Sequence, residues 1–177
     1  MKLDNTQDVL NKYGKYVVQQ SKSNLTKDNK GGGELYNSVK YVLDVESDAF
    51  LIAFLMEEYG AYVDKGVKGK TSTYPQTASA LSQFRYGSGT GPKGGLTKGI
   101  LSWVKRKKFQ WKDKKTGRFL SYESMSFLIA RSIYNKGLKA NLFFSKPFES
   151  GIKRFNPDFA KAFALDIENA IILGIRK

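Results

Sequence analysis

Apolar and polar residues follow two different periods along this chain, and each period predicts a type of element. Apolar residues recur every three or four positions in residues 4–27, 96–107 and 121–136, as on one face of a helix. Residues 39–45 alternate with period two, and the nearly continuous apolar run 49–56 follows them, so we predict a β-hairpin. Because the second strand is apolar on both faces, we expect helices or a neighbouring subunit to cover both.

Turn and cap residues bound the remaining elements. Three consecutive glycines, Gly31–Gly33, predict a hinge or a disordered connection. Residues 57–65 predict a short helix that ends at Gly66. Asn156 followed by Pro157 is typical of a helix start and predicts the beginning of the last helix.

The elements together predict an α+β fold in a single domain spanning residues 1–177. A small antiparallel β-sheet packs against an N-terminal helix, central helices and a C-terminal helix. Residues 1–30 form the N-terminal helix or arm. Residues 67–95 are rich in glycine and lack a regular pattern, so we predict a long flexible loop or insertion there.

Composition removes many function classes. The chain has neither cysteine nor histidine, which excludes disulfides, Cys nucleophiles, His general bases and imidazole zinc sites. Gly69-Lys70-Thr71 resembles the end of a phosphate loop, but Asp64 stands where that motif requires its first glycine. We therefore predict no catalytic residues, no cofactor, no metal site and no enzymatic activity. The polar N-terminus and the lack of a long apolar run predict a soluble intracellular protein without membrane contact.

Net charge is concentrated in one segment. The chain carries 30 Lys and Arg against 16 Asp and Glu. Residues 65–120 contain 14 of these bases and a single acid, Asp113, whereas the rest of the chain is almost neutral. This distribution indicates a polyanionic partner, although a solubilising face concentrated in sequence is the plain alternative.

The densest part of that segment is the candidate anion-facing or DNA-facing surface, and aromatic residues are interleaved with its bases. Exposed bases of this kind bind phosphates without sequence preference, and neighbouring aromatic rings can stack on single-stranded bases. Trp103 lies on the apolar side of its helix and is expected in the core. The eight residues of the surface, called the basic surface below, are Lys105, Arg106, Lys107, Lys108, Lys112, Lys114, Lys115 and Arg118.

Three segments resemble the neck or tail-completion proteins, the head-tail connectors, of tailed double-stranded DNA bacteriophages. They are the hairpin Leu35–Met56, the stretch Glu58–Gly66 with its Tyr-x-x-Tyr-Val-acid-x-Gly pattern, and the aromatic segment Leu142–Phe148 before the last helix. The resemblance covers most of the chain, and its motifs are structural rather than catalytic. The insertion from Thr71 to Gly95 exceeds the compact family pattern.

The resemblance implies a virion structural protein at the head–tail junction, made in the host cytoplasm. It implies a homo-oligomeric ring at the portal vertex that contacts portal or adaptor proteins, tail proteins and, non-specifically, the genomic double-stranded DNA. The implied oligomer or partner contacts are Tyr59, Tyr62, Phe143, Phe144, Pro147 and Phe148. The alternative from the charge alone is a free, non-sequence-specific nucleic-acid-binding protein of phage replication or packaging.

Overall fold

The fold is α+β, as the sequence predicts, and the chain divides into two compact units. Unit 1 comprises Met1–Asp64 and Leu142–Lys177, and unit 2 comprises Lys65–Asn141. The structure is a computed structural model that describes residues 3–28, 31–46, 49–71, 82–87 and 95–175. That residues 1–177 form one domain stays a prediction.

Among its described residues, unit 1 contains four helices and a hairpin. The elements of unit 1 are α1 (Asp4–Lys27), α2 (Glu34–Ser38), β1 (Lys40–Val45), β2 (Phe50–Leu55), α3 (Gly60–Lys65, whose last residue begins unit 2) and α6 (Ser145–Ile175). The elements of unit 2 are β3 (Val67–Lys68), α4 (Gly95–Lys107), α5 (Tyr122–Lys136) and β4 (Gly137–Leu138).

Helices α1 and α6 run antiparallel and form the frame of unit 1. Asn5, at the start of α1, bonds Asp166 late in α6, whereas Asn24 near the end of α1 donates to the Phe143 carbonyl just before α6 (3.3 Å). Gly151 allows close approach, because a Cβ there would lie 2.8 Å from the ring of Tyr13. The predicted N-terminal helix is therefore confirmed.

Strands β1 and β2 form the predicted antiparallel hairpin, and one of its faces packs on α1. Tyr41 and Phe54 are opposite one another on this inner face. The Tyr41 ring lies over Gly14 of α1, where a Cβ would come within 2.5 Å of it, and its hydroxyl donates to Asn11 Oδ1 (3.2 Å). A side chain at position 14 would therefore force the hairpin away from the helix.

The core of unit 1 joins an aliphatic cluster to an aromatic one. Leu25, Leu35, Val39 and Phe143 are buried together. Around Tyr13 lie the rings of Phe54, Phe148 and Phe155, with centroids 5.9, 6.2 and 6.0 Å away. Burial raises the pKa of Tyr13 to about 12, so this phenol is neutral at every physiological pH.

Two buried carboxylates cap the N-termini of the two long helices. Asp64 is 3% exposed and accepts the N–H groups of Phe144 (2.8 Å) and Ser145 (3.1 Å) as well as the Ser145 hydroxyl. Asp166 accepts the N–H groups of Asn5 (3.2 Å) and Thr6 (2.8 Å) at the start of α1. Each carboxylate thus satisfies donors that a helix end leaves unpaired and opposes its positive dipole end.

The cap at Asp64 explains why the predicted start of the last helix was wrong. Helix α6 begins at Ser145 and contains Pro157, whereas the sequence places its start at Asn156. The Asn156-Pro157 pair is a strong local signal, but the cap that starts the helix comes from 81 positions before Ser145. A helix can contain an internal proline at a cost when packing holds both sides, as α1 does here.

Unit 2 pairs the two-stranded ladder β3–β4 with the helices α4 and α5. Val67 is opposite Leu138 and Lys68 opposite Gly137. Gly137 has φ 84°, and a Cβ there would lie 2.1 Å from the Val67 carbonyl oxygen, so only glycine fits. Ser121 caps α5 by accepting the N–H of Ser124 (3.1 Å).

Parts of the segment 67–95 have regular pairing within unit 2. Lys68 donates its N–H to the Phe84 carbonyl (2.8 Å) and accepts the N–H of Tyr86 (2.9 Å). The Ser82 hydroxyl donates to the Gly66 carbonyl (2.7 Å). Lys68 of β3 therefore forms a parallel bridge with Arg85, while residues 72–81 and 88–94 of the predicted loop lie outside the described residues.

Candidate anion-binding surface

Four consecutive cationic residues lie at the C-terminal end of helix α4. Val104 is fully buried in unit 2, whereas Lys105, Arg106 and Lys107 are exposed around it. Positive charge in the last turn stabilises the helix by opposing the negative end of its dipole. Lys108 then ends the helix with a left-handed backbone (φ 51°), which carries the chain sharply away into the next segment.

An aromatic cluster follows directly. The ring centroid of Phe109 lies 6.3 Å from that of Trp103 and 5.6 Å from that of Trp111, the latter in an edge-to-face arrangement. All three residues are about 40% exposed. The expectation that Trp103 belongs to the core was wrong, because Val104 occupies the buried position of that turn. Exposed rings among cations are what stacking against nucleic-acid bases requires.

The segment between Phe109 and Leu120, called the basic hairpin below, is an exposed hairpin held by backbone bonds. Lys112 and Phe119 form an antiparallel bridge, and Leu120 donates its N–H to the Trp111 carbonyl (2.9 Å). The Lys112 ammonium lies 5.1 Å from the Phe119 ring centroid, a cation–π contact with a ring that is 61% exposed. The hairpin therefore presents cations and aromatic rings together.

The acid at the hairpin tip serves the turn rather than the cations. Asp113 Oδ1 accepts the N–H groups of Thr116 (3.0 Å) and Lys115 (2.7 Å). These backbone hydrogen bonds lower the pKa of the Asp113 carboxyl below its ordinary value. Gly117, with φ 68°, completes the turn. The geometry holds Lys114, Lys115 and Arg118 at the exposed tip.

The electrostatics of the basic surface are of one sign. All eight predicted residues are exposed, and they lie on two adjoining segments of unit 2, the end of α4 and the hairpin. Lys105 pairs with Glu123 (3.1 Å). A hydrogen bond from the Glu123 backbone N–H, followed by the one from Lys105, holds the pKa of that carboxyl below its ordinary value. Within the described ranges, the other seven have no acidic side chain within 4 Å. Their charge is available to a polyanion.

The predicted partner contacts divide into exposed and buried residues. Tyr59 and Tyr62 are 43% and 45% exposed, and their contact with a partner stays a prediction. Phe143 and Pro147 are buried, and the half-buried Phe144 and Phe148 pack on the Phe54 ring at 5.5 and 5.9 Å. These four residues were predicted to contact a partner, but they pack within unit 1. The reason is that the inner face of the β1–β2 hairpin needs aromatic partners, and the segment at the start of α6 supplies them.

Sequence reasoning did not identify an exposed apolar surface on the C-terminal half of α6. Only Ala162 and Asp166 are buried between residues 158 and 173. The consecutive residues Ile171, Ile172 and Leu173 were the available signal, because three adjacent helical positions cannot all face one neighbour. The six residues called the α6 patch below are Phe163, Leu165, Ile167, Ile171, Ile172 and Leu173, which are 37–66% exposed.

Other kinds of site find little support in the described ranges. No group of three or more acidic side chains there is placed to hold a metal ion, and no helix there has the length and apolar character needed to cross a bilayer. Two open grooves of about 380 and 520 Å³ run along α1 and are lined largely by polar and lysine side chains. Comparisons with protein-family models, curated proteins and solved structures find no match to this chain.

Proposed function

We propose that this chain is a structural virion protein of a tailed double-stranded DNA bacteriophage, a head–tail connector that assembles as a ring at the portal vertex. One observation carries the proposal: among the described residues, a small chain exposes a cationic surface with seven of its eight charges unpaired in one unit and an apolar surface in the other. A connector needs both, since it must bind other protein chains and lie beside packaged DNA. The resemblance of Glu58–Gly66 and Leu142–Phe148 to neck proteins supports the same function.

In this function the basic surface acts through its number of charges. Each exposed lysine or arginine that neutralises a phosphate releases a counterion, so the attraction is independent of sequence and falls steeply with salt. A single subunit binds weakly, and a ring multiplies the contacts through effective concentration. An acidic portal, adaptor or tail surface would be bound by the same chemistry.

The test is complementation of a phage that lacks the protein. Reversing Lys107, Lys108, Lys112, Lys114 and Lys115 to glutamate should impair virion assembly or DNA retention, while circular dichroism shows an intact fold. A matched control reverses five lysines of unit 1, Lys12, Lys15, Lys27, Lys146 and Lys153, and should cost much less. Normal virion yield from the first variant would contradict the role of the basic surface.

A second candidate function is a free, non-sequence-specific nucleic-acid-binding protein of replication or packaging. The exposed cluster of Trp103, Phe109 and Trp111 among lysines favours it, because stacking platforms of this kind hold single strands. It predicts submicromolar binding of the isolated chain near physiological salt, whereas a connector subunit binds weakly before assembly. Fluorescence anisotropy with single- and double-stranded oligonucleotides separates the two.

A further inference from the structure

The outer face of the β1–β2 hairpin is an exposed apolar surface within unit 1. Opposed residues of an antiparallel pair point to the same side, so Val42, Leu51 and Leu55 share the face opposite to Tyr41 and Phe54. These three are 48%, 59% and 43% exposed. The sequence predicts that β2 is covered on both faces, yet unit 1 covers only the inner one.

Helix α6 carries a narrow stripe that includes Leu165 and Ile172 of the α6 patch. Lys161, Leu165, Glu168 and Ile172 follow the spacing i, i+4, i+7, i+11, which aligns them along one side of a helix. The buried residues Ala162 and Asp166 lie on another side. The stripe therefore presents Leu165 between one cation and one anion and Ile172 beyond the anion, on a side of α6 that unit 1 leaves open.

The two surfaces are far apart on the same unit. The hairpin packs at the beginning of α6, where Phe54 contacts Phe144 and Phe148. Helical rise places Ile172 about 36 Å further along α6 than Phe148. One copy therefore cannot cover its own stripe with its own hairpin, but a second copy can.

The charges on the two surfaces match in sign and spacing. On the outer hairpin face Lys40 and Asp44 flank Val42, separated by about 13 Å of strand. On the stripe Lys161 and Glu168 flank Leu165, separated by about 10 Å of helix. All four are exposed, and within the described ranges none has an oppositely charged side chain within 4 Å. An antiparallel approach brings Lys161 to Asp44 and Glu168 to Lys40.

The apolar residues of the two surfaces form the centre of an interface. They are Val42, Leu51 and Leu55 of the hairpin and Leu165 and Ile172 of the stripe, and each is about half exposed. Specific interfaces surround such an apolar centre with a polar rim, which the four charged residues supply here.

We infer that the outer hairpin face of one copy receives the α6 stripe of the next copy of this chain. The inference deepens the proposed function, because it names the contact between subunits of the proposed ring. The contact is head-to-tail, since two different surfaces meet and each copy has one of each. Repetition of such a contact gives a closed ring or an open filament.

The test mixes two variants of the full chain, each with one surface disabled. Leu51→Asp disables the hairpin face, and Ile172→Asp disables the stripe. Analytical ultracentrifugation should show assemblies larger than a dimer for the wild type, monomers for each variant alone and a one-to-one dimer for the mixture. A monomeric wild type at about 100 μM, or either variant assembling alone like the wild type, would overturn the inference.

A disulfide cross-linking test of the same contact avoids introducing aspartates that could destabilise the fold. The chain has no cysteine, so chains carrying Leu55→Cys, which lies opposite Lys40, and Ile172→Cys, one turn beyond Glu168, should form a mixed disulfide on mild oxidation. Replacing Ile172→Cys by Glu149→Cys, an exposed position at the other end of α6, is the matched control and should give at least tenfold less mixed product. Equal yields from both pairs would contradict the contact.

A charge exchange tests the orientation. Asp44→Lys and Lys161→Asp should each weaken assembly, and the double variant should recover it. Lack of recovery, with both single variants folded and weakened, would overturn the antiparallel approach. Failure of the connector function is distinguishable from failure here, because location in the virion and assembly of the purified chain are measured separately.

Discussion

Unit 1 and unit 2 differ most in how they use charged residues. Unit 2 holds 17 of the 30 Lys and Arg and only 2 of the 16 Asp and Glu, whereas unit 1 holds 13 and 14. In unit 1 the acids Asp64 and Asp166 are buried and cap helices. In unit 2 the acids Asp113 and Glu123 support an exposed turn and a surface pair. The buried acids of unit 1 therefore stabilise its fold, whereas the basic surface of unit 2 is exposed and available to bind an anion.

The exposed apolar residues show the same contrast. Unit 1 exposes aliphatic residues in sets with few cations among them, on the hairpin and on α6. Unit 2 exposes aromatic rings between lysines. The first pattern is typical of contact between protein chains and the second of contact with polyanions. The difference predicts that the proposed assembly and the proposed anion binding can be disabled one at a time.

The largest expected effect is on DNA binding. Changing Lys107, Lys108, Lys112, Lys114 and Lys115 to glutamine should weaken binding to a duplex about a hundredfold or more at 50 mM salt. The slope of log K against log salt should fall by about four, because five phosphate contacts are lost. The same change at Lys12, Lys15, Lys27, Lys146 and Lys153 should leave the slope nearly unchanged. Equal losses of DNA affinity in the two variants would contradict the proposed difference between the units.

Removing the cap of α6 should be the largest change in stability. Asp64→Ala leaves the buried N–H groups of Phe144 and Ser145 without an acceptor, so we expect the free energy of unfolding to fall by about 2–4 kcal/mol. Urea titration measures it. Asp113→Ala in unit 2 is the matched change at an exposed turn and should shift the midpoint far less.

Two glycine-to-alanine changes should have opposite signs. Gly14→Ala places a methyl group 2.5 Å from the Tyr41 ring and should cost about 1–3 kcal/mol. Gly99→Ala in α4 meets nothing within 4 Å and should stabilise by about 0.5–1 kcal/mol through helix propensity. Thermal or urea unfolding of both variants checks this, and a stabilised Gly14→Ala chain would contradict the packing of hairpin on α1.

The smallest expected effect concerns acid stability. Burial raises the pKa of Asp166, but hydrogen bonds donated by Thr6 and Asn5 outweigh it and hold the pKa below the ordinary value of 3.8. The stabilisation is therefore present above about pH 4 and is lost as pH falls through the lowered pKa. Asp166→Asn should make the urea midpoint depend less on pH between pH 5 and 3 than it does in the wild type. An unchanged pH profile would contradict the cap.

Local signals predicted most of the elements. Ser121 and Gly137 bound α5 because a cap and a left-handed glycine are properties of the adjacent residues themselves. The hairpin β1–β2 and the basic tip around Asp113 were also predictable from period and turn chemistry. The predicted basic segment begins at Lys65, where unit 2 begins. The charge distribution thus marks the start of unit 2, a boundary that the pattern of helices and strands did not indicate.

Long-range relations were not predictable from the same patterns. The start of α6 depends on Asp64, and no local pattern indicates that this carboxylate caps a helix 80 residues away. Phe143 and Phe144 have the aromatic character of a partner contact, and their burial depends on where the hairpin packs. The exposure of Trp103 was missed because Val104 competes for the same buried position on α4.

The central claim, a connector at the head–tail junction, is tested most directly by gold-antibody labelling of purified virions in the electron microscope. The account predicts label confined to the head–tail junction. Absence of label from intact and gently opened virions, with the protein abundant in the infected cell, would contradict it and favour the free nucleic-acid-binding protein.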